Sequence, residues 1–247
     1  MKKVFIVSLL LVALLYAKNQ QESDALAIIQ KIDKLYRHKT SYAKIKMEIV
    51  TPHWQRTLLM KSWSKGQKKT FIRILEPKKE KGVSTLRIGN EMWNYLPRTN
   101  KVIKIPPSMM MSSWMGSDFT NDDLVKEFTF EADYRFSFTE IEKPEANELY
   151  IKCIPKEGRP IIWGKVILAV DKNNYYPIWQ KYYDEKGKLM RVLEYSNLQN
   201  FDGYKIPAKM VLIPQNKEGH KTIIHYLEAK FNQDIDDEIF SLRNLRK

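Results

Sequence analysis

The sequence predicts a mainly β chain with a few helices, built as one antiparallel sheet that curls on itself. Three observations predict it. Runs of period-two alternation follow one another at short intervals with turn residues between them. Only one long stretch has helical spacing. Several strand-like runs carry apolar residues on both faces, so neither face of the sheet suits full exposure to water.

The chain opens with Lys2 and Lys3, an apolar run from Val4 to Leu15 and the small residue Ala17, the pattern of a secretory signal peptide over residues 1–17 cleaved near Ala17. The apolar run is shorter than the roughly 20 residues of a spanning helix. An uncleaved membrane anchor is the alternative. No cysteine follows the run to take a lipid. Residues 18–247 contain no Gly/Ser/Pro-rich linker and read as a single domain.

From Ser23 to His38 the residues Leu26, Ile28, Ile29, Ile32, Leu35 and Tyr36 recur at helical spacing, with Ser23 or Asp24 as the expected cap. The period then changes to two. Ala43, Ile45, Met47 and Ile49 alternate with Tyr42, Lys44, Lys46 and Glu48 until Thr51-Pro52. Further strand runs are expected at 54–64, 68–76, 83–90, 91–97, 101–106, 133–143, 147–155, 163–171, 176–184, 188–196, 206–214 and 220–231. Turn signals such as Lys65-Gly66, Lys172-Asn173-Asn174, Glu185-Lys186-Gly187 and Asp202-Gly203 separate them.

Within these runs Phe71 and Leu75 oppose Ile72 and Ile74, and Leu189 and Leu193 oppose Met190 and Val192. One long helix and a shorter candidate near 107–127 cannot cap both faces of about a dozen strands, so the sheet must curl and enclose an apolar space. That space is a core if side chains fill it and a ligand site if they do not.

Residues 106–119 interrupt the strands with a Met-rich, flexible, apolar stretch that reads as a lid: Met109, Met110, Met111, Trp114 and Met115, with Gly116 and Ser117 allowing a bend. The alternative is a permanent plug. Asp118 or Thr120 is placed to cap a short helix beyond it. Clustered thioethers can hold Cu(I). Three adjacent methionines do not converge on one point, however, and His38, His53, His220 and His225 lie far from them in sequence, so neither a metal nor a cofactor is expected.

No nucleophile elbow, phosphate loop or zinc-hydrolase helix is present, and Asp122-Asp123 reads as a solvated first helical turn, so the chain is not expected to be an enzyme. Cys153 is the only cysteine, which excludes an intramolecular disulfide. The net charge of +13 favours transient contact with acidic surfaces such as anionic membranes. Because the basic residues are scattered along strands, nucleic acid is not an expected partner.

Trp93-Asn94-Tyr95-Leu96-Pro97 followed by Lys101-Val102-Ile103-Lys104-Ile105, and Met115-Gly116-Ser117-Asp118-Phe119-Thr120-Asn121-Asp122-Asp123-Leu124, resemble the larger branch of the LolA-like family of outer-membrane lipoprotein-sorting proteins. Val170-Asp171, Tyr176-Pro177-Ile178, Tyr183-Asp184, Gly187-Lys188-Leu189, Ile206-Pro207-Ala208 and Phe240 continue the resemblance in order. It implies a LolA/LolB-like incomplete half barrel of about eleven strands over helices, with an apolar cavity for acyl chains and a helical lid. It also implies a periplasmic carrier that receives cargo from an inner-membrane transporter and gives it to an outer-membrane acceptor.

The expected cargo is the acyl chain of a lipoprotein or lipid, with Ile45, Trp63, Phe71, Trp93 and Tyr95 on the cavity wall. The alternative function is a non-carrying subunit of an envelope exporter with a self-filled interior. An integral membrane barrel is disfavoured by Lys44, Arg73, Lys165 and Arg191 within the strands.

Overall fold

The computed structural model describes residues 20–36, 38–126, 130–159 and 161–247; residues 1–17, expected to be a signal peptide, lie outside them. A helix over 20–36 (α1) leads into β1 (Thr40–Val50), β2 (Gln55–Lys65), β3 (Lys69–Glu76), β4 (Ser84–Ile88), β5 (Glu91–Leu96) and β6 (Lys101–Lys104). Two short helices follow, α2 (Asn121–Lys126) and α3 (Phe130–Asp133). The chain continues through β7 (Tyr134–Phe138), β8 (Glu148–Pro155), β9 (Lys165–Asp171), β10 (Pro177–Tyr183), β11 (Leu189–Phe201), β12 (Tyr204–Pro214) and β13 (Lys221–Phe231).

The strands form one 13-stranded antiparallel sheet in the order β6-β5-β4-β3-β2-β1-β13-β12-β11-β10-β9-β8-β7. It does not close into a barrel, since β6 and β7 are its two edges. Two meanders are thus joined by a single pairing, β1 with β13, which sets Ala43 against Ala229 and Met47 against Ile224. Register shifts at Lys44/Ile45, Leu59/Met60 and Tyr182/Tyr183 bend their strands, as an extra unpaired residue does, and so help the sheet to curl.

The resemblance implied about eleven strands, and there are 13. Ser23 and Asp24 do not cap the first helix, because α1 already includes residues 20–22. The candidate helix at 107–127 is two three-residue 3-10 turns, Pro107–Met109 and Trp114–Gly116, followed by α2. Two prolines at 106–107 and a left-handed backbone at Met115 and Gly116 prevent a continuous helix.

Both faces are covered, each by a different part of the chain. On the concave face α1 packs Ala25, Ile28 and Ile29 against Tyr134, Phe136, Ile151, Cys153 and Leu168. Nearer β1–β3, the 106–126 segment packs Trp114, Met115, Phe119 and Leu124 against Met47, Leu58, Met60 and Ile74. On the convex face the C-terminal turns Asp237–Phe240 and Asn244–Arg246 place Ile235, Phe240 and Leu245 on Phe71 and Leu86, flanked by Trp63, Trp93 and Tyr95. The carboxylate of Asp237 holds Lys65 and Lys69 at 3.0 and 2.8 Å. Arg73 donates to the carbonyl of Asn244.

This convex cover makes the C-terminal turns part of the core. Phe240→Ala is expected to lower the free energy of unfolding by about 3 kcal/mol, the scale for removing a buried phenyl ring. Urea unfolding followed by circular dichroism would measure it, and a change under 1 kcal/mol would show the tail to be dispensable.

Candidate functional site

A cavity of about 300 Å³ lies between the concave face of the sheet, α1 and the 106–126 segment. That volume is at the lower end of the range for small-molecule sites. Apolar side chains from every quarter of the fold line it: Ile29 and Ile32 from α1, Ile45 and Met47 from β1, Trp114 and Phe119 from the covering segment, and Leu193 and Met210 from the C-terminal meander. Set into this lining are two arginines, Arg87 and Arg191, three aspartates, Asp33, Asp122 and Asp123, and the hydroxyls of Ser41, Ser62, Ser64, Thr70 and Thr85.

Arg191 leaves β11 and makes a two-pronged ion pair with Asp123 of α2: Nη1 donates to Oδ2 at 2.8 Å and Nη2 to Oδ1 at 2.6 Å. Its guanidinium also lies 4.5 Å from the centre of the Trp163 ring and 4.2 Å from that of Tyr182. Burial alone would push the Asp123 carboxyl up. The adjacent Arg191 charge and hydrogen bonds from Arg191 and Thr120 outweigh that and hold it below the usual carboxylate value. The same pairing overcomes burial at Arg191 and raises its basicity further. Asp123 is therefore not the solvated residue that its position in a first helical turn suggests.

The covering segment is tied to the sheet at further points. Trp114 Nε1 donates to Thr85 Oγ1 at 3.1 Å. Thr222 Oγ1 donates to Asp118 Oδ2 at 2.8 Å and accepts from the Asp118 amide at 2.9 Å. Arg56 donates to the carbonyl of Met115. A Cβ at Gly116 would come within 3.0 Å of the Arg56 guanidinium, so a glycine suits both the close approach and the left-handed backbone. Thr120 caps α2 reciprocally with Asp123: the Asp123 amide donates to Thr120 Oγ1 at 3.1 Å, and the Thr120 amide donates to Asp123 Oδ2 at 2.8 Å.

Of the expected wall residues, Ile45 lines the cavity. Trp63, Phe71, Trp93 and Tyr95 do not; they belong to the convex cluster under the C-terminal turns. The reason is register. Trp63, Phe71, Leu86 and Trp93 stand opposite one another across β2–β5, so one choice of parity moves all of them to the same face. Their neighbours in sequence, Ser62, Ser64, Thr70, Ile72 and Met92, face the cavity instead.

Of the expected lid residues, Trp114 lines the cavity and is 2% exposed, and Met115 packs beside it. Met109 and Met111 point outward at 47% and 41% exposure, and Met110 accepts the Asp122 amide at its carbonyl. The methionines that do line the space are Met47, Met60, Met92 and Met210, all from strands.

Sequence reasoning missed Arg87, Thr70 and the Asp123–Arg191 pair. The only signal was charge recurring inside apolar strands. Among the described residues no group of three His, Cys, Asp or Glu side chains could hold a metal, and no helix is long and apolar enough to cross a membrane. Cys153 is buried, and burial pushes its thiol pKa up, so it is unreactive packing.

A family model described as "uncharacterized protein" matches residues 66–247, well over half of the chain. The chain belongs to that family. The fold is shared with several solved structures, one of them of a LolA superfamily protein. A LolA superfamily protein from Nitrosomonas europaea is 22% identical with a TM-score of 0.74, over 89% of this chain and 98% of the other. A DUF1329 family protein from Desulfovibrio piger, also 22% identical, has a TM-score of 0.81 over 91% and 99% of the two chains. A domain from Vibrio parahaemolyticus, provisionally described as an outer membrane lipoprotein-sorting protein, is 22% identical with a TM-score of 0.76 over 92% and 100%. No curated protein sequence matches.

The buried pair makes a pH prediction for this family member. The Asp123 carboxyl is lower in the folded chain than in the unfolded one, where it titrates near the ordinary value of about 3.9. Its stabilisation is therefore complete above about pH 5 and is lost as pH falls through about 4 towards the folded value. Asp123→Asn is expected to destabilise the chain by about 3 kcal/mol at pH 7, since it leaves Arg191 buried without its counter-charge. It should also flatten the fall in stability below pH 4; an unchanged acid limb in chemical unfolding would show that the pair contributes nothing there.

Proposed function

We propose that residues 18–247 form one domain that acts as a periplasmic carrier, holding the acyl chains of lipoproteins or lipids in the cavity and moving them towards the outer membrane. The observation that carries this reading is the apolar cavity itself, enclosed by the sheet, α1 and the 106–126 segment within a LolA-like fold. Each CH₂ buried there gains about 0.8 kcal/mol relative to water, close to what the same group gains in a bilayer. Transfer between membrane and carrier is then near balance, as reversible loading requires. The chemistry is binding alone, without a catalytic step, metal or cofactor.

In this reading residues 1–17 direct export, an inner-membrane transporter supplies the cargo and an outer-membrane acceptor takes it. The surplus of basic side chains assists transient contact with anionic membrane surfaces. Trp114 and Met115 act as the inner face of the lid over Ile45 and its neighbours, with Met109, Met110 and Met111 on its outer side.

The test is native mass spectrometry of the protein purified from a bacterial periplasm, followed by organic extraction. One acyl-bearing molecule per chain is expected. Trp114→Asp should reduce retention at least tenfold by placing a charge in the apolar lining, and Met110→Asp should do so more weakly. If the purified chain is empty and also fails to take up added lipids, the carrier reading is wrong.

A further inference from the structure

The convex cover reaches only part of its face, since the C-terminal turns pack over β2–β6. Further along the sheet, Gln180, Leu193, Leu212 and Ile224 line the cavity, so their strand neighbours Trp179, Val192, Val211, Ile213 and Ile223 stand on the convex face. Each of these is half-buried, and none belongs to a packed core. Register joins them into a band: Val192 pairs with Ile213 and Val211 with Ile223, with Trp179 beyond Glu194 at the β10 end.

A basic band runs beside the apolar one. Lys209 of β12 pairs with His225 and His225 with Lys46 of β1, and the next row sets Lys44 against Lys61. The carboxylates of these rows are Glu48, Glu194 and Glu228. Lys46 matches Glu48 at 2.6 Å and Lys230 matches Glu228 at 3.1 Å. Among the described residues Lys44, Lys61 and Lys209 are in no ion pair, so the unmatched lysines outnumber the unmatched Glu194. β13 is the middle strand of the sheet order, which puts β1, β13 and β12 at the crest of the convex face.

From this pattern we infer that the protein docks on a membrane rich in anionic phospholipid through the crest formed by β1, β13 and β12. Lysine stems reach the lipid phosphates, while the shorter branched side chains and Trp179 settle at the boundary between head groups and acyl chains. A convex crest meets a bilayer without rearrangement, whereas a tight protein partner anchors its main side chains in recesses of a surface. The inference rests on the membrane contact of the carrier reading, assigns that contact to one face, and is independent of what the cavity holds. Docked so, α1 and the 106–126 segment point away from the bilayer.

The experiment is co-sedimentation of the protein purified from a bacterial periplasm with vesicles of mixed phosphatidylglycerol and phosphatidylcholine, and with vesicles of phosphatidylcholine alone. The anionic vesicles should bind at least about tenfold more tightly. A lysine near an anionic surface contributes about fivefold, so the triple variant Lys44→Gln, Lys61→Gln and Lys209→Gln should lose at least about tenfold. A control of equal charge away from the crest, Lys68→Gln, Lys78→Gln and Lys79→Gln, should change binding less than about twofold. Val211→Thr with Ile223→Thr keeps the β-branching and should lower severalfold the binding that persists in about 1 M salt, where the lysines are screened. Equal losses in the two triple variants, or no preference for anionic vesicles, overturns the inference. Tighter binding to polyglutamate than to the vesicles also overturns it and assigns the crest to an acidic protein. Lys44, Lys61 and Lys209 lie outside the cavity lining, so an acyl-bearing molecule in the native mass spectrum of their triple variant leaves the carrier reading standing whichever way docking is decided.

Discussion

The pairing of β1 with β13 is the constraint on which the rest of the molecule depends. Each of the two meanders folds by local hairpins, but only this pairing, between the first strand and the last, makes them one sheet. It sets Met47 beside Ile224 and Ala43 beside Ala229 in the middle of the concave wall, so the cavity has a continuous floor. The entropy of closing so long a loop rises only with the logarithm of its length, and the 11-residue strands on each side supply a long ladder to offset it. Slow folding is the expected consequence of contacts so distant in sequence.

A sheet with two apolar faces needs two covers, and this chain provides them from three separate regions. The convex cover is tight: Leu86 and Leu245 are fully buried, and Phe71 is 1% exposed. The concave cover is built from comparable residues yet leaves about 300 Å³ open. Side chains close over the strands on one side and leave a space on the other. The space is a local feature of the concave side, where helix and covering segment meet the sheet at separate places, and not a general looseness of the core.

Much of this architecture was legible in the sequence. The period-two runs located the 13 strands, with ends missed by as much as five residues at β7 and β11, because most strand boundaries here coincide with Gly, Pro and Asn turns. Which face a strand turns inward was harder to read. In β3, Phe71, Ile72 and Ile74 are all buried, so local hydrophobicity does not distinguish the faces, and only the distant C-terminal turns decide that Phe71 points outward. The Arg191–Asp123 pair was illegible for a similar reason. It joins residues 68 positions apart, and nothing local marks either as paired. Trp114 was legible because a tryptophan in a loop of small residues has few other reasons to be there.

The composition of the wall divides two tasks between residue types. Met47, Met60, Met92 and Met210 contribute unbranched side chains that adjust to a tail of any contour at little energetic cost. Arg87 and Arg191 cannot adjust, since one is clamped by two carbonyls and the other by a carboxylate and two aromatic rings. Ligand sites of this kind take affinity from the apolar lining and orientation from a few fixed polar points. A cavity so made tolerates differences in tail shape and length, while its polar points stay where the fold holds them. On the carrier reading, that division lets one site accept hydrocarbon of varied contour against a fixed polar frame.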